Sequence, residues 1–309
     1  MRKAKKVATE VRIGNLILKN PILTASGTFG YGLEFDDFLD LNSLGGIVLK
    51  GLSLKPRAGN PPPRTCETAS GMLNAIGLEN VGIDAFIRDK LPELRRYSCA
   101  IIANIFGETM DEYERVTGKL CDAGGISAIE VNVSCPNTQA GGMFFGVDPV
   151  LTGEVTRRVK HLSDLPVIVK LSPNVTDIRV TAKAAVDGGA DALSLVNTFV
   201  GMAVDTKTKR PCLANRCGGL SGPAIKPLAL WLVHQVVSSV DVPVIGMGGI
   251  CTIEDVLEFL IVGARAVQIG TQSFIDPSTA EKLVRELSQY LASKGIDDVN
   301  SLIGSLKND

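Results

Sequence analysis

A chain of 309 residues is long enough for two domains or one large barrel, and its 45% hydrophobic residues supply a sizeable core. A net charge of −1 excludes nucleic-acid or membrane binding driven by bulk charge. With 32 glycines and only 5% aromatic residues, the composition suits repeated βα units better than a β-sandwich.

The basic start Met1-Arg-Lys-Ala-Lys-Lys6 is followed by Glu10, Arg12 and Lys19 instead of an apolar run, so no signal peptide is expected. No stretch approaches the ~20 apolar residues that span a bilayer. Residues 11–18 read as a hairpin turning at Gly14-Asn15, placed to plug one end of the larger unit that the rest of the chain forms. Then a pattern repeats. Strands are expected at 21–25, 46–50, 100–105, 127–133, 167–171, 192–196, 244–247 and 266–269, each followed within two residues by glycine or a short polar residue. Helices fit between them: Tyr113, Val116 and Leu120 share one face, as do Leu228, Leu232 and Val236. Gly188-Gly189 closes the helix before the sixth strand.

Eight strand–helix units predict a (β/α)8 TIM barrel, one domain over 1–309, with an N-terminal β-hairpin. A doubly wound open sheet is the alternative, but no G-x-G-x-x-G follows the first strand. Two insertions, 52–80 and 199–222, are expected over the C-terminal mouth, covering it or meeting a partner.

The fourth strand is the most informative. Ile129, Val131 and Val133 form a β-branched run, with Glu130 and Asn132 on the opposite face. Pro136 ends the ladder, and a glycine-rich loop with Gly141-Gly142 and two phenylalanines follows. A lone cysteine is usually a small buried hydrophobe. Cys135, however, sits at a strand end among polar residues, where a thiol of suitable pKa can exchange a proton with a substrate. The other cysteines (66, 99, 121, 212, 217 and 251) are scattered, which fits a reduced cytoplasmic setting, and with two histidines in the chain no metal site is expected.

In a barrel the strand ends converge on one mouth, here bringing together Ser26, Lys50, Asn104, Asn132, Lys170, Asn197 and Thr198. Two lysines in an apolar mouth imply an anionic or electron-rich ligand. Gly248-Gly249 and Gly270-Thr271 supply backbone N–H groups after strands seven and eight, the usual phosphate cradle.

Asn132-Val-Ser-Cys-Pro-Asn137, Asn74-Ala-Ile-Gly-Leu78, Lys50-Gly51 and the glycine pairs resemble dihydroorotate dehydrogenase over nearly the whole chain. Cys135 in place of serine at the base position resembles class 1. Glu67-Thr-Ala-Ser-Gly-Met-Leu-Asn-Ala-Ile-Gly77 and Gly141-Gly-Met-Phe-Phe-Gly146 resemble class 1B, the catalytic subunit of the NAD-linked enzyme.

The resemblance implies FMN in this chain, held by Ser26, Lys50, Gly51, Asn104, Asn132, Lys170, Val196, Gly222, Gly248, Gly249, Gly270 and Thr271. It implies that dihydroorotate meets Lys50, Asn74, Ala75, Ile76, Gly77, Leu78, Asn132, Asn197 and Thr198, with Cys135 as catalytic base. It also implies a partner subunit with FAD and an iron–sulfur cluster, two copies of each subunit forming a heterotetramer. The absence of a four-cysteine motif and a dinucleotide fingerprint agrees with that division. Three other readings are a fumarate-linked class 1A-like enzyme, a dihydropyrimidine dehydrogenase-like flavin barrel, and a barrel kept only as a scaffold.

Overall fold

The computed structural model describes residues 7–133 and 145–307. The chain opens with β1 (Val11–Ile13) and β2 (Leu16–Leu18), an antiparallel pair joined through Gly14 at φ 59°. Val11, Ile13, Leu16 and Leu18 are buried while Arg12 and Ile17 point outward, the alternation of a half-buried ribbon. A Cβ on Gly14 would lie 3.3 Å from that of Asp191, which directly precedes a barrel strand. The hairpin therefore lies at the N-terminal end of the strands, opposite the mouth.

The strands then run β3 (Ile22–Thr24), β4 (Gly46–Val48), β5 (Thr65–Thr68), β6 (Gly71–Asn74), β7 (Ala100–Ile105), β8 (Ala128–Asn132), β9 (Val167–Lys170) and β10 (Ala192–Leu195). After them come β11 (Phe199–Gly201), β12 (Val204–Asp205), β13 (Arg210–Pro211), β14 (Gly218–Ser221), β15 (Val244–Met247) and β16 (Ala266–Ile269). Among these β3, β4, β7, β8, β9, β10, β15 and β16 pair in parallel, in chain order, and close a barrel. The expected (β/α)8 architecture is what the chain adopts. Its strands are short aliphatic runs buried on both faces, because helices cover the outside and side chains fill the inside.

The helix Met110–Ala123 illustrates the outer layer. Thr109 caps its start by accepting the Glu112 N–H at 3.3 Å, and Gly124 ends it. Tyr113, Val116 and Leu120 are buried on the expected face, contributing about 1.5–3 kcal/mol each by removal of apolar surface from water. The helix Ile178–Asp187 ends at Gly188, also as expected.

The helix Lys226–Val237 differs from its expected face. Ala229, Val233 and Val236 are buried, whereas Leu228 is exposed. From Leu228 to Val233 the helix is apolar all round, so periodicity offers no contrast. The small Ala229 faces the barrel because a Cβ on Gly248 would already lie 2.7 Å from its own Cβ.

The two insertions meet each other. β6 pairs antiparallel with β14, and a four-stranded sheet forms in the order β11-β14-β6-β5. Leu73, Ala75 and Leu213 form a small core beneath it, separate from the main one. Both insertions therefore lie over the mouth as one structure. Among the described residues, no helix is long and apolar enough to cross a membrane.

Candidate active site

A cavity of about 580 Å³ opens at the C-terminal ends of the barrel strands, walled on one side by residues of the four-stranded sheet. Ser26, Lys50, Gly51, Asn104, Asn132, Lys170, Val196, Asn197 and Thr198 all line it, as do Gly222, Gly248, Gly249, Gly270 and Thr271. Of the segment 74–78, Asn74, Ile76, Gly77 and Leu78 line it, but Ala75 does not. Ala75 is 1% exposed and packs in the small core with Leu73 and Leu213. Cys135 and Gly141-Gly142 lie outside the described residues.

Each group is placed by local rules. Lys170 is the last residue of β9, and its Nζ lies 3.2 Å from Ser26 Oγ and 3.9 Å from Glu130 Oε1. Both charges are nearly or wholly buried, at 7% and 0% side-chain exposure, so neither is screened by water. Lys50 follows β4, its backbone fixed by donation to Gly30 O at 2.7 Å. Tyr113 Oη donates to Asn132 O at 2.9 Å, tying the end of β8 to the outer helix. Asn197 Oδ1 accepts the Thr198 N–H at 2.8 Å, and Asn174 Nδ2 donates to Thr198 O at 3.0 Å. Thr271 Oγ1 bonds Ser221 Oγ at 2.7 Å, joining the end of β16 to the sheet above.

The glycine turn after β15 is built for close approach. Gly249 has φ 72°, and a Cβ there would lie 2.8 Å from Lys226 Cβ and 2.9 Å from Gly222 O. The Gly249 and Ile250 N–H groups donate to no described residue. The next two amides are taken: Asp255 Oδ2 accepts from Cys251 N at 2.8 Å and Thr252 N at 2.9 Å. Lys226 Nζ donates to Asp255 Oδ1 at 2.7 Å. Burial pushes the Asp255 carboxyl up, but Lys226 and these two amides outweigh it and hold the pKa below the usual range. The glycine-turn N–H groups therefore stay open to an anion, whereas the Cys251 and Thr252 amides that lead into the helix Ile253–Ile261 do not.

Two further groups at the rim have raised pKa values. Burial raises the pKa of Tyr31, with Glu34 and Glu79 adding to it against the Val81 N–H. Burial and Asp255 raise that of Cys251, which leaves a neutral thiol beside the glycine turn.

Sequence reasoning missed a polar layer just below the mouth. Glu130 is 0% exposed inside the barrel, as its shared parity with Asn132 requires. Its Oε1 accepts from Asn104 Nδ2 at 2.7 Å. Its Oε2 accepts from Ser194 Oγ at 2.8 Å and Gln268 Nε2 at 2.7 Å. A lone acidic residue in a β-branched run was the available signal.

The arrangement offers two cations, of which Lys170 is buried, amides that can satisfy both donor and acceptor edges of a flat polar ring, and a glycine turn open to an anion. The sequence profile of the family described as Dihydroorotate dehydrogenase matches residues 8–291. The chain is 57% identical over 297 residues to the protein of Geobacter sp. (strain M21) named dihydroorotate dehydrogenase B (NAD(+)), catalytic subunit, covering 96% of this chain and 97% of that one. It is 53% identical over 300 residues to the protein of that name from Desulforudis audaxviator, covering 97% and 98%. In fold it is similar to the crystal structure of DHODH from Eimeria tenella in complex with ferulenol, at a TM-score of 0.82 and 22% identity, over 96% of this chain and 88% of that one. By both the length of the match and the identity to these relatives, the chain belongs to the dihydroorotate dehydrogenase family.

Proposed function

We propose that this chain oxidises dihydroorotate to orotate in pyrimidine biosynthesis, with FMN in the barrel mouth and NAD as the final electron acceptor. The observation that carries the reading is the convergence of Lys50, Lys170, Asn132 and the Gly248-Gly249 turn on one cavity. The mouth fits a flavin phosphate. The glycine turn leaves two backbone N–H groups open, and Lys170 places a buried positive charge where an electron-rich ring would be held. Bound there, FMN supplies the hydride acceptor.

The chain's own residues do the rest. Ser26, Gly51, Asn104, Val196, Gly222, Gly270 and Thr271 complete the cofactor's surroundings, and Lys170 stabilises negative charge on it. Lys50 pairs with the substrate carboxylate. Asn74, Asn132, Asn197 and Thr198 present amide and hydroxyl groups to the pyrimidine ring edges, and Ile76 to Leu78 close over it. Cys135 takes the proton from ring carbon 5. The 74–78 segment contributes through Asn74 and residues 76 to 78, with Ala75 anchoring it in the small core.

That the relatives are named as a catalytic subunit supports a partner subunit, and we propose that it carries FAD and an iron–sulfur cluster in an assembly of two copies of each subunit. The whole chain acts as one domain, in the cytoplasm. The NAD(+) in the relatives' names favours this acceptor over fumarate. The test is turnover with dihydroorotate, by the isolated chain and by the chain purified with its partner. NAD reduction by the complex alone is expected. Robust fumarate reduction by the isolated chain, or NAD reduction without the partner, would overturn the assignment of acceptor.

A further inference from the structure

The layer beneath the mouth is not closed on itself. Glu130 draws donors from three other strands, Asn104 on β7, Ser194 on β10 and Gln268 on β16, with Lys170 on β9 as a fourth neighbour. An ionised carboxylate only accepts hydrogen bonds. Both amides must therefore turn their NH2 groups toward Glu130 and their carbonyl oxygens away from it. Asn104 Oδ1 and Gln268 Oε1 are buried with no hydrogen-bond partner among the described residues, and both side chains line the cavity. A layer serving stability alone would pair these acceptors, since buried polar groups in native proteins are nearly always satisfied. The ammonium groups and glycine-turn amides of the mouth are donors only, so these two carbonyls add acceptors whose direction Glu130 fixes. The two carbonyls are what a ligand with ring N–H groups would need.

We infer that Glu130 is a positioning residue that holds the Asn104 and Gln268 amides with their carbonyls facing the mouth, where they accept the one ring N–H of oxidised flavin and the further N–H that reduction adds. Gln268 is then a cofactor contact in its own right. The inference rests on the reading of the mouth as a flavin site. It follows that Glu130→Gln, equal in size but carrying an NH2 group, cannot accept from both amides and Ser194 as the carboxylate does. One amide turns over and presents NH2 to the ring. The substitution also removes a negative charge 3.9 Å from Lys170, which favours the anionic reduced flavin.

The test uses the full chain, freed of flavin and titrated with FMN by fluorescence quenching, followed by measurement of the bound flavin's midpoint potential. Glu130→Gln is expected to weaken FMN binding about 10- to 100-fold, the size of one misdirected buried hydrogen bond, and to move the potential to a more positive value. Gln268→Met, which keeps volume and deletes the amide, is expected to weaken binding about 10-fold while Glu130 and its charge remain. A Glu130→Gln chain with wild-type affinity and potential overturns the inference. If that variant fails to fold, Gln268→Met decides, and affinity within about twofold of wild type overturns it. A wild-type chain that takes up no FMN would instead overturn the reading of the mouth.

Discussion

Replacing Gly249 by alanine puts a methyl group where the turn after β15 has no room for one. Its Cβ would lie 2.8 Å from Lys226 Cβ and 2.9 Å from the Gly222 carbonyl, at a φ of 72° that side chains other than glycine rarely adopt. The left-handed backbone costs about 1–2 kcal/mol and the overpacking about 1–3 kcal/mol, so holding the turn in place costs about 2–5 kcal/mol. That equals or exceeds the ~1.5–3 kcal/mol contributed by one hydrogen bond to a charged phosphate. The turn therefore shifts, and its N–H groups no longer converge on the anion. We expect Gly249→Ala to weaken FMN binding by at least about tenfold, since each 1.4 kcal/mol is a factor of ten. Riboflavin, which lacks the phosphate, is the control. Titrations of both flavins by fluorescence quenching should give a large loss for FMN and a much smaller one for riboflavin. Equal losses for the two, or none for FMN, would refute the placement of the phosphate at this turn.

Lys170→Ala should lower the bound flavin's reduction potential or weaken FMN retention, because it removes a buried cation from the mouth; unchanged potential and affinity would contradict its role. Cys135→Ala should bind orotate nearly normally yet reduce its flavin about 10²–10⁴-fold more slowly in rapid mixing, while Cys135→Ser keeps a residual activity shifted to higher pH. Asp255→Asn should cost about 1 kcal/mol of stability at neutral pH by weakening the cap of the helix Ile253–Ile261. Because the folded Asp255 pKa is depressed, its stabilisation is present above the unfolded value near 4 and is lost as pH falls through the folded value. The gap in Tm between wild type and Asp255→Asn should therefore close in acid, and a gap constant down to pH 2 would contradict this.

The barrel was legible because each of its strands is a short aliphatic run buried on both faces and ended by a polar or glycine residue. Once eight such runs are counted, the fold itself brings Lys50, Lys170 and Gly249 together, although they are far apart in sequence. What was not legible depends on partners that leave no local mark. The pairing of β6 with β14 joins segments about 145 residues apart, where Asn74 Nδ2 meets Gly219 O, and glycines 218 and 219 carry no side-chain pattern to announce a strand. Glu130 was readable as facing inward, yet its partners on three other strands were not, because parity gives direction and not neighbours. The buried face of the helix Lys226–Val237 was misread because apolar residues surround it. Ala75 was placed with its neighbours by the motif, whereas the alternation of a short extended segment turns it into the small core.

Dihydroorotate, on this reading, gives its electrons to a flavin held in the barrel mouth. The visible spectrum of the purified chain, recorded without oxygen before and after addition of dihydroorotate, tests it directly. We expect a yellow protein whose visible flavin absorption is bleached by dihydroorotate and left in place by dihydrouracil. A colourless protein that takes up no FMN, or a flavin that dihydroorotate leaves oxidised, would contradict it.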